Sequence, residues 1–299
     1  YDLATLAVLT PRAVRRPVAS ASRLAPCIRK QMVGMEQALT TNAVEHPFAG
    51  PMAGATAAHG RPGTYVTAAG EFTVPIEYQA VRTFLVTMPA KLQHLDALLP
   101  HDVRARRFFG DYGGMVVQFV DLPNTSIGPY TECTLAVVAN DDYRWPDSVA
   151  DVAWAPPPCY ALWLAVSSRI AQHSGQAIWG YPKTLARTDF RVEGGYFRGK
   201  VYADDRLIIE CSAPLPDEGE RASIQMRSLT HLRGKICRTS ISGQCSMAIC
   251  EPGRCELQFH HGSPISDALS RVALGSEPLS TAYLHDYDYL LDHPLEAAT

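Results

Sequence analysis

The sequence predicts an α+β domain that is predominantly antiparallel β: a large curved sheet or barrel with a few helices. Three observations predict it. Runs of period-two alternation recur from residue 71 onward, turn signals such as Gly194-Gly195 and Asp204-Asp205 separate them, and few stretches have helical length or spacing. With no internal repeat and no linker after residue 70, residues 63–299 are read as one domain, preceded by an extension over 1–62.

The elements follow in order. Phe72, Val74, Ile76 and Tyr78 alternate with polar or proline residues, which predicts a half-buried strand over 71–78, with Pro75 at a sheet edge. Residues 82–88 form a second strand. Leu92, Leu95, Leu98 and Leu99 have helical spacing, and Pro100 ends that helix. Strands are expected over 115–120 and 130–139. The apolar run over 159–172 has the length of a core helix. A meander occupies 187–212, short strands follow over 224–227, 235–241 and 255–260, and a tyrosine-rich strand over 279–291 closes the domain.

Composition narrows the function. The formal charge of −3 and the lack of a basic stripe argue against nucleic acid as a partner, and a hydrophobic fraction of 46% is ample for a sizeable core. The most apolar stretch, 152–166, contains three consecutive prolines and falls short of the roughly 20 residues of a membrane span. Between Asp2 and Glu36 the ionised residues are all basic. This segment reads as a disordered tail, as sequence upstream of a start at Met32 or Met35, or as an organellar transit peptide. A cytoplasmic protein is expected, with organellar targeting as the alternative. Cys237, Cys245, Cys250 and Cys255 are spaced C-x7-C-x4-C-x4-C, without the close pairs of common zinc sites, and are expected to be buried free thiols. His260 and His261 are neighbours on a strand and face opposite sides.

One lysine stands apart. Lysines occur at positions 30, 91, 183, 200 and 235, and Lys183 has the most aromatic and apolar surroundings, Ile178-Trp179-Gly180-Tyr181-Pro182-Lys183-Thr184-Leu185-Ala186. Burial disfavours an ammonium, and a neutral lysine amine attacks carbonyl carbon to form a Schiff base. The competing reading is a surface lysine whose stem lies on apolar neighbours.

About fifty residues upstream, Gly128-Pro129-Tyr130-Thr131-Glu132 opens a strand. Paired with Gly175 to Lys183, this segment resembles the acetoacetate decarboxylase family, and the likeness extends through the later strands over residues 70–292. That enzyme is also the general example of a reactive lysine in a tuned site. The resemblance implies that Lys183 is the carbonyl-attacking amine and Glu132 an acidic group facing the substrate. It also implies that Tyr130, Tyr181 and Trp179 wall the pocket, that Arg82 is the nearest match to a family arginine, and that Gln118 stands where the family has a glutamate. No metal or organic cofactor is implied, since the protonated imine is itself the electron sink. A small keto acid is the implied partner, and a homo-oligomer the implied assembly.

Two departures bear on the reaction. Thr184 replaces a second lysine that follows the reactive one in the family, and Gln118 cannot titrate. Three functions are therefore carried forward. The first is decarboxylation of an acetoacetate-like β-keto acid through an imine on Lys183. The second is pyruvate-type aldol condensation, dehydration or cyclisation with the same enamine, with Arg82 or Arg187 as carboxylate anchor. The third is a barrel that binds a small molecule without turnover.

Overall fold

The computed structural model describes residues 56–57, 63–146, 152–272 and 277–295. The expected extension over 1–62 lies outside these residues, apart from Thr56–Ala57. Strands β1 (Thr56–Ala57), β2 (Thr64–Thr67) and β3 (Gly70–Thr73) form a small antiparallel sheet. The long strand β4 (Ile76–Lys91) follows, then helix α1 (Leu92–Asp96), β5 (Tyr112–Leu122), β6 (Asn124–Thr125), β7 (Tyr130–Val138) and β8 (Cys159–Val166). Helix α2 (Arg169–Trp179) leads into β9 (Lys183–Leu185), β10 (Arg187–Glu193), β11 (Tyr196–Ala203) and β12 (Arg206–Pro214). Strands β13 (Glu220–Leu232), β14 (Lys235–Cys250) and β15 (Glu256–Phe259), helix α3 (Pro264–Val272) and β16 (Ser280–Leu291) complete the order.

Seven strands close a mixed barrel in the order β13-β14-β16-β4-β5-β7-β8. Every neighbouring pair is antiparallel except the closing one, where β8 meets β13 in parallel through only Ser228↔Cys159 and Leu229↔Tyr160. Farther along, β8 instead pairs with β9, Leu164 opposite Lys183. The short seam therefore leaves room for β9 to be inserted beside β8, which brings Lys183 to the barrel wall.

A second antiparallel sheet, β10-β11-β12-β15, packs against the outside of the barrel. Phe84 of β4 stacks on Phe197 of β11 with centroids 4.5 Å apart, and Phe119 of β5 meets Phe190 edge-on at 5.4 Å. Alternation along β4 sends Phe84, Val86 and Met88 into this outer core, while Thr83, Leu85 and Thr87 face the barrel interior.

The predominantly antiparallel α+β barrel is thus the architecture present. Three local expectations need correction. The run over 159–172 is not one helix: β8 ends at Val166, and α2 starts after Ser168, whose hydroxyl accepts from the Ala171 amide at 3.4 Å. A strand buried on both faces gives a continuous apolar run that periodicity does not separate from a core helix. The strand expected over 71–78 is two strands divided at Val74-Pro75, and the second half continues through the strand expected over 82–88. The short strands expected over 224–227 and 235–241 belong to hairpin arms of 13 and 16 residues. Cys237, Cys245 and Cys250 are buried thiols of β14. Among the described residues no helix is long and apolar enough to cross a membrane.

Candidate active site

The chain reaches Lys183 through a tightly determined turn. Helix α2 ends at Gly180, which adopts φ 66° and ψ 19°. A Cβ here would lie 2.3 Å from the carbonyl oxygen of His231, so the residue combines a left-handed backbone with close approach to β13. The Tyr181 amide then donates to the Gly175 carbonyl at 3.1 Å, and the Leu164 amide to the Pro182 carbonyl at 3.1 Å. Gln176 and Gln172, one turn apart on α2, donate their side-chain amides to the Lys183 carbonyl at 2.8 and 3.3 Å. Both ends of the Lys183 backbone are thereby fixed.

The side chain of Lys183 runs inward and is 5% exposed. Its Nζ donates to Glu132 Oε2 at 2.8 Å, while Thr134 Oγ1 donates to Glu132 Oε1 at 3.1 Å. The rings of Tyr181 and Tyr130 lie 5.5 and 5.6 Å from Nζ. The charged group against the amine is therefore a carboxylate, and burial strengthens the interaction relative to water.

These groups line a cavity of about 170 Å³ inside the barrel. Alternate residues of β7 (Tyr130, Glu132, Thr134, Ala136, Val138) face it, as do Val116, Gln118, Val120 and Leu122 of β5. Tyr78, Tyr287 and Tyr289 gather at one end, with Tyr78 and Tyr289 stacked at 4.6 Å and the hydroxyls of Tyr78 and Tyr130 at 3.1 Å. Burial pushes the phenols of Tyr78, Tyr130 and Tyr289 well above their ordinary range. Tyr181 is pushed up to about 12, first by burial and against the opposing hydrogen bond to Ser228 at 2.7 Å. All four are neutral at neutral pH.

The structure thus brings together Lys183, Glu132, Gln118, Tyr130 and Tyr181. It does not bring in Arg82, which lies on the outer face of β4, half-exposed and paired with Asp121. Neighbouring strand residues point to opposite faces, so Thr83 occupies the inward position. Trp179 also lies away from the cavity: its indole donates to the Asp292 carbonyl at 2.8 Å within the core behind α2. Arg187, the other anchor considered, stacks on Tyr202 at 3.6 Å in the outer sheet. Sequence reasoning passed over Arg227, which lines the cavity rim, and Gly175, Gln172 and Gln176, which hold the lysine. The two glutamines sit at i and i+4, a spacing legible only once α2 is placed correctly.

Thr184 points away from the amine and accepts from the buried indole of Trp163 at 2.7 Å. The position that carries a second lysine in the family is here part of the packing between β9 and β8.

The profile of the family described as acetoacetate decarboxylase (ADC) matches residues 64–295, nearly the whole described domain. The chain belongs to the acetoacetate decarboxylase family. Membership makes it an enzyme of the lyase type. Solved structures agree on the fold. Acetoacetate decarboxylase from Legionella pneumophila subsp. pneumophila str. Philadelphia 1 superposes with a TM-score of 0.60 at 15% identity, covering 87% of this chain and 98% of that one. The enduracididine biosynthesis enzyme MppR complexed with pyruvate gives 0.53 at 13% identity, covering 75% and 91%. A further acetoacetate decarboxylase structure gives 0.52 at 13%, covering 74% and 88%. No curated protein sequence matches the chain.

Proposed function

We propose that this family member decarboxylates a β-keto acid through a Schiff base on Lys183. One observation carries the reading: an enclosed lysine amine stands 2.8 Å from a carboxylate oxygen inside an otherwise largely apolar cavity. Passing one proton from Nζ to Glu132 turns the ammonium into the amine that attacks a carbonyl carbon.

The amine attacks the C3 carbonyl, the carbinolamine hydroxyl takes the proton from Glu132 and leaves as water, and a protonated imine remains. The C1–C2 bond then breaks. Its electron pair becomes the enamine C2–C3 double bond, the imine nitrogen takes up the displaced π pair, and carbon dioxide leaves. Glu132 regains a proton from solvent and donates it to C2, which restores the iminium, and water then releases the methyl ketone and the lysine ammonium. The site is back in its starting state, and the net reaction consumes one proton.

The surroundings of the amine favour loss of the carboxylate over its retention. Arg82 faces away, and the wall beside Glu132 is the apolar Val120 and Leu164 with the uncharged Thr83. An anionic group in such a place is destabilised until it departs as neutral carbon dioxide. A second reading has one observation in its favour: Arg227 lines the rim, a cation that a retained carboxylate in condensation or dehydration requires.

Borohydride reduction with acetoacetate or pyruvate, followed by peptide mass spectrometry, tests the Schiff base. An adduct on Lys183 with carbon dioxide release is expected. Absence of any adduct across a range of keto acids overturns the proposal, and adducts without carbon dioxide shift it to the condensation reading.

A further inference from the structure

The cavity is much longer than the reacting groups require. From Glu132 to Val138 it follows six residues of β7, about 20 Å of strand at about 3.3 Å per residue. Barrel strands tilt by about 40°, which leaves about 15 Å along the axis. A volume of about 170 Å³ drawn out over that length is a slender bore.

Its two ends differ. Tyr78, Leu122, Tyr130 and Tyr287 are all buried and close one end, beyond Glu132. At the other end, beyond the buried Val138, the half-buried Cys159 and Pro156 and the 44% exposed Ile249 form the rim. Between the reacting groups and the rim the wall carries small side chains: one flank is apolar, with Val116, Ala136 and Ala161, and the facing flank bears the hydroxyls of Thr87, Ser280 and Thr281. Val116, Ala136 and Val138 form a hydrophobic cluster of their own, separate from the two main cores. Apolar surface facing a void has lost the contacts that a ligand would supply.

The polar complement lies on the closed side of this wall. Thr83 is 1% exposed, lines the cavity, and among the described residues its hydroxyl has no hydrogen-bond partner. It shares a ladder with Glu132 through Val120. A buried hydroxyl without a partner is costly, which marks the place for a ligand oxygen.

We propose that the substrate is a 3-oxo acid longer than acetoacetate, with an unbranched apolar tail. Its carbonyl sits at Lys183, its carboxylate toward Thr83, and its tail along Val116, Ala136 and Val138 toward the rim. This assignment rests on the Schiff-base reading of Lys183.

The test uses the full chain and compares carbon dioxide release from acetoacetate, 3-oxohexanoate and the branched 4,4-dimethyl-3-oxopentanoate. Each buried methylene contributes a factor of about four, so kcat/KM is expected to rise about fifteenfold from acetoacetate to 3-oxohexanoate. The branched acid is expected to fall below both. Equal or declining values along the linear pair overturn the tail proposal. Ala136→Phe, which narrows the bore, is expected to bring the ratio of the linear acids close to one; an unchanged ratio overturns the path assigned to the tail. Borohydride trapping with acetone and 2-hexanone separates this from the underlying chemistry. Stronger labelling of Lys183 by 2-hexanone is expected. Equal labelling overturns the tail alone, whereas no labelling by either ketone overturns the Schiff base and the tail with it.

Discussion

Lys183 lies directly across the backbone of Gly175, so that a Cβ on Gly175 would stand 2.6 Å from its Cδ, 2.7 Å from Cε and 3.3 Å from Nζ. The Lys183 side chain therefore occupies space that a side chain at position 175 would fill. The helix has no side chain at that point, and the lysine stem takes the vacant place on its way from the seam to Glu132.

Gly175→Ala separates this steric role from helix stability. In a helix interior alanine is favoured over glycine by about 1 kcal/mol. The clash acts on the lysine stem, and displacing a reacting group by about 1 Å costs about a hundredfold in rate. The variant is expected to melt within a few degrees of the parent while kcat falls about a hundredfold and borohydride labelling of Lys183 slows in parallel. Full activity would show that the stem relocates without moving Nζ.

Glu132→Gln keeps the size of the side chain and the hydrogen-bonding oxygen but removes the proton exchange. General acid–base groups contribute about 10²- to 10⁴-fold, so kcat is expected to fall in that range. Labelling of Lys183 by a ketone at high pH should persist, because attack by a neutral amine does not need the carboxylate once solvent removes the proton. Loss of labelling at every pH would assign Glu132 to holding the lysine in place.

Arg82→Ala tests the corrected register of β4. The Arg82–Asp121 pair is half-exposed on the outer face, and such pairs contribute about 1 kcal/mol or less. Both kcat and KM are expected to stay within about twofold of the parent. A tenfold rise in KM would return Arg82 to the substrate.

What could be read before the structure was local in sequence. Tyr130-Thr131-Glu132 and Tyr181-Pro182-Lys183 each lie in one short string, and the structure joins them by a single hydrogen bond. Arg82 was misplaced because a strand alternates every residue, so an offset of one puts a side chain on the wrong face of the barrel. Trp179 is four residues from Lys183, but the left-handed turn at Gly180 intervenes and leaves the indole in the core. That Tyr78 joins the C-terminal tyrosines was hidden for another reason. Tyr78 and Tyr289 are brought opposite each other by the β4–β16 ladder, a pairing of distant segments that no local pattern announces.

That tyrosine end sets the alkaline limit of the fold. Tyr181 is raised from an ordinary 10.0 to about 12, and Tyr78, Tyr130 and Tyr289 are raised as well, in each case first by burial. The unfolded chain gives up these phenolic protons near pH 10, whereas the folded chain retains them. Above pH 10 the folded state therefore binds more protons, and stability falls as pH rises. The contribution is fully present below about pH 10 and is lost as pH climbs through about 12 and beyond. Melting temperatures are expected to be insensitive to these groups from neutral pH to about 10, then to drop steeply, with tyrosinate absorbance from the buried set appearing together with loss of near-ultraviolet circular dichroism. Tyr181→Phe, which keeps the ring and removes the ionisable group, is expected to make that drop shallower. Smooth ionisation of every tyrosine near pH 10 with the fold intact would mean that the cluster is open to water.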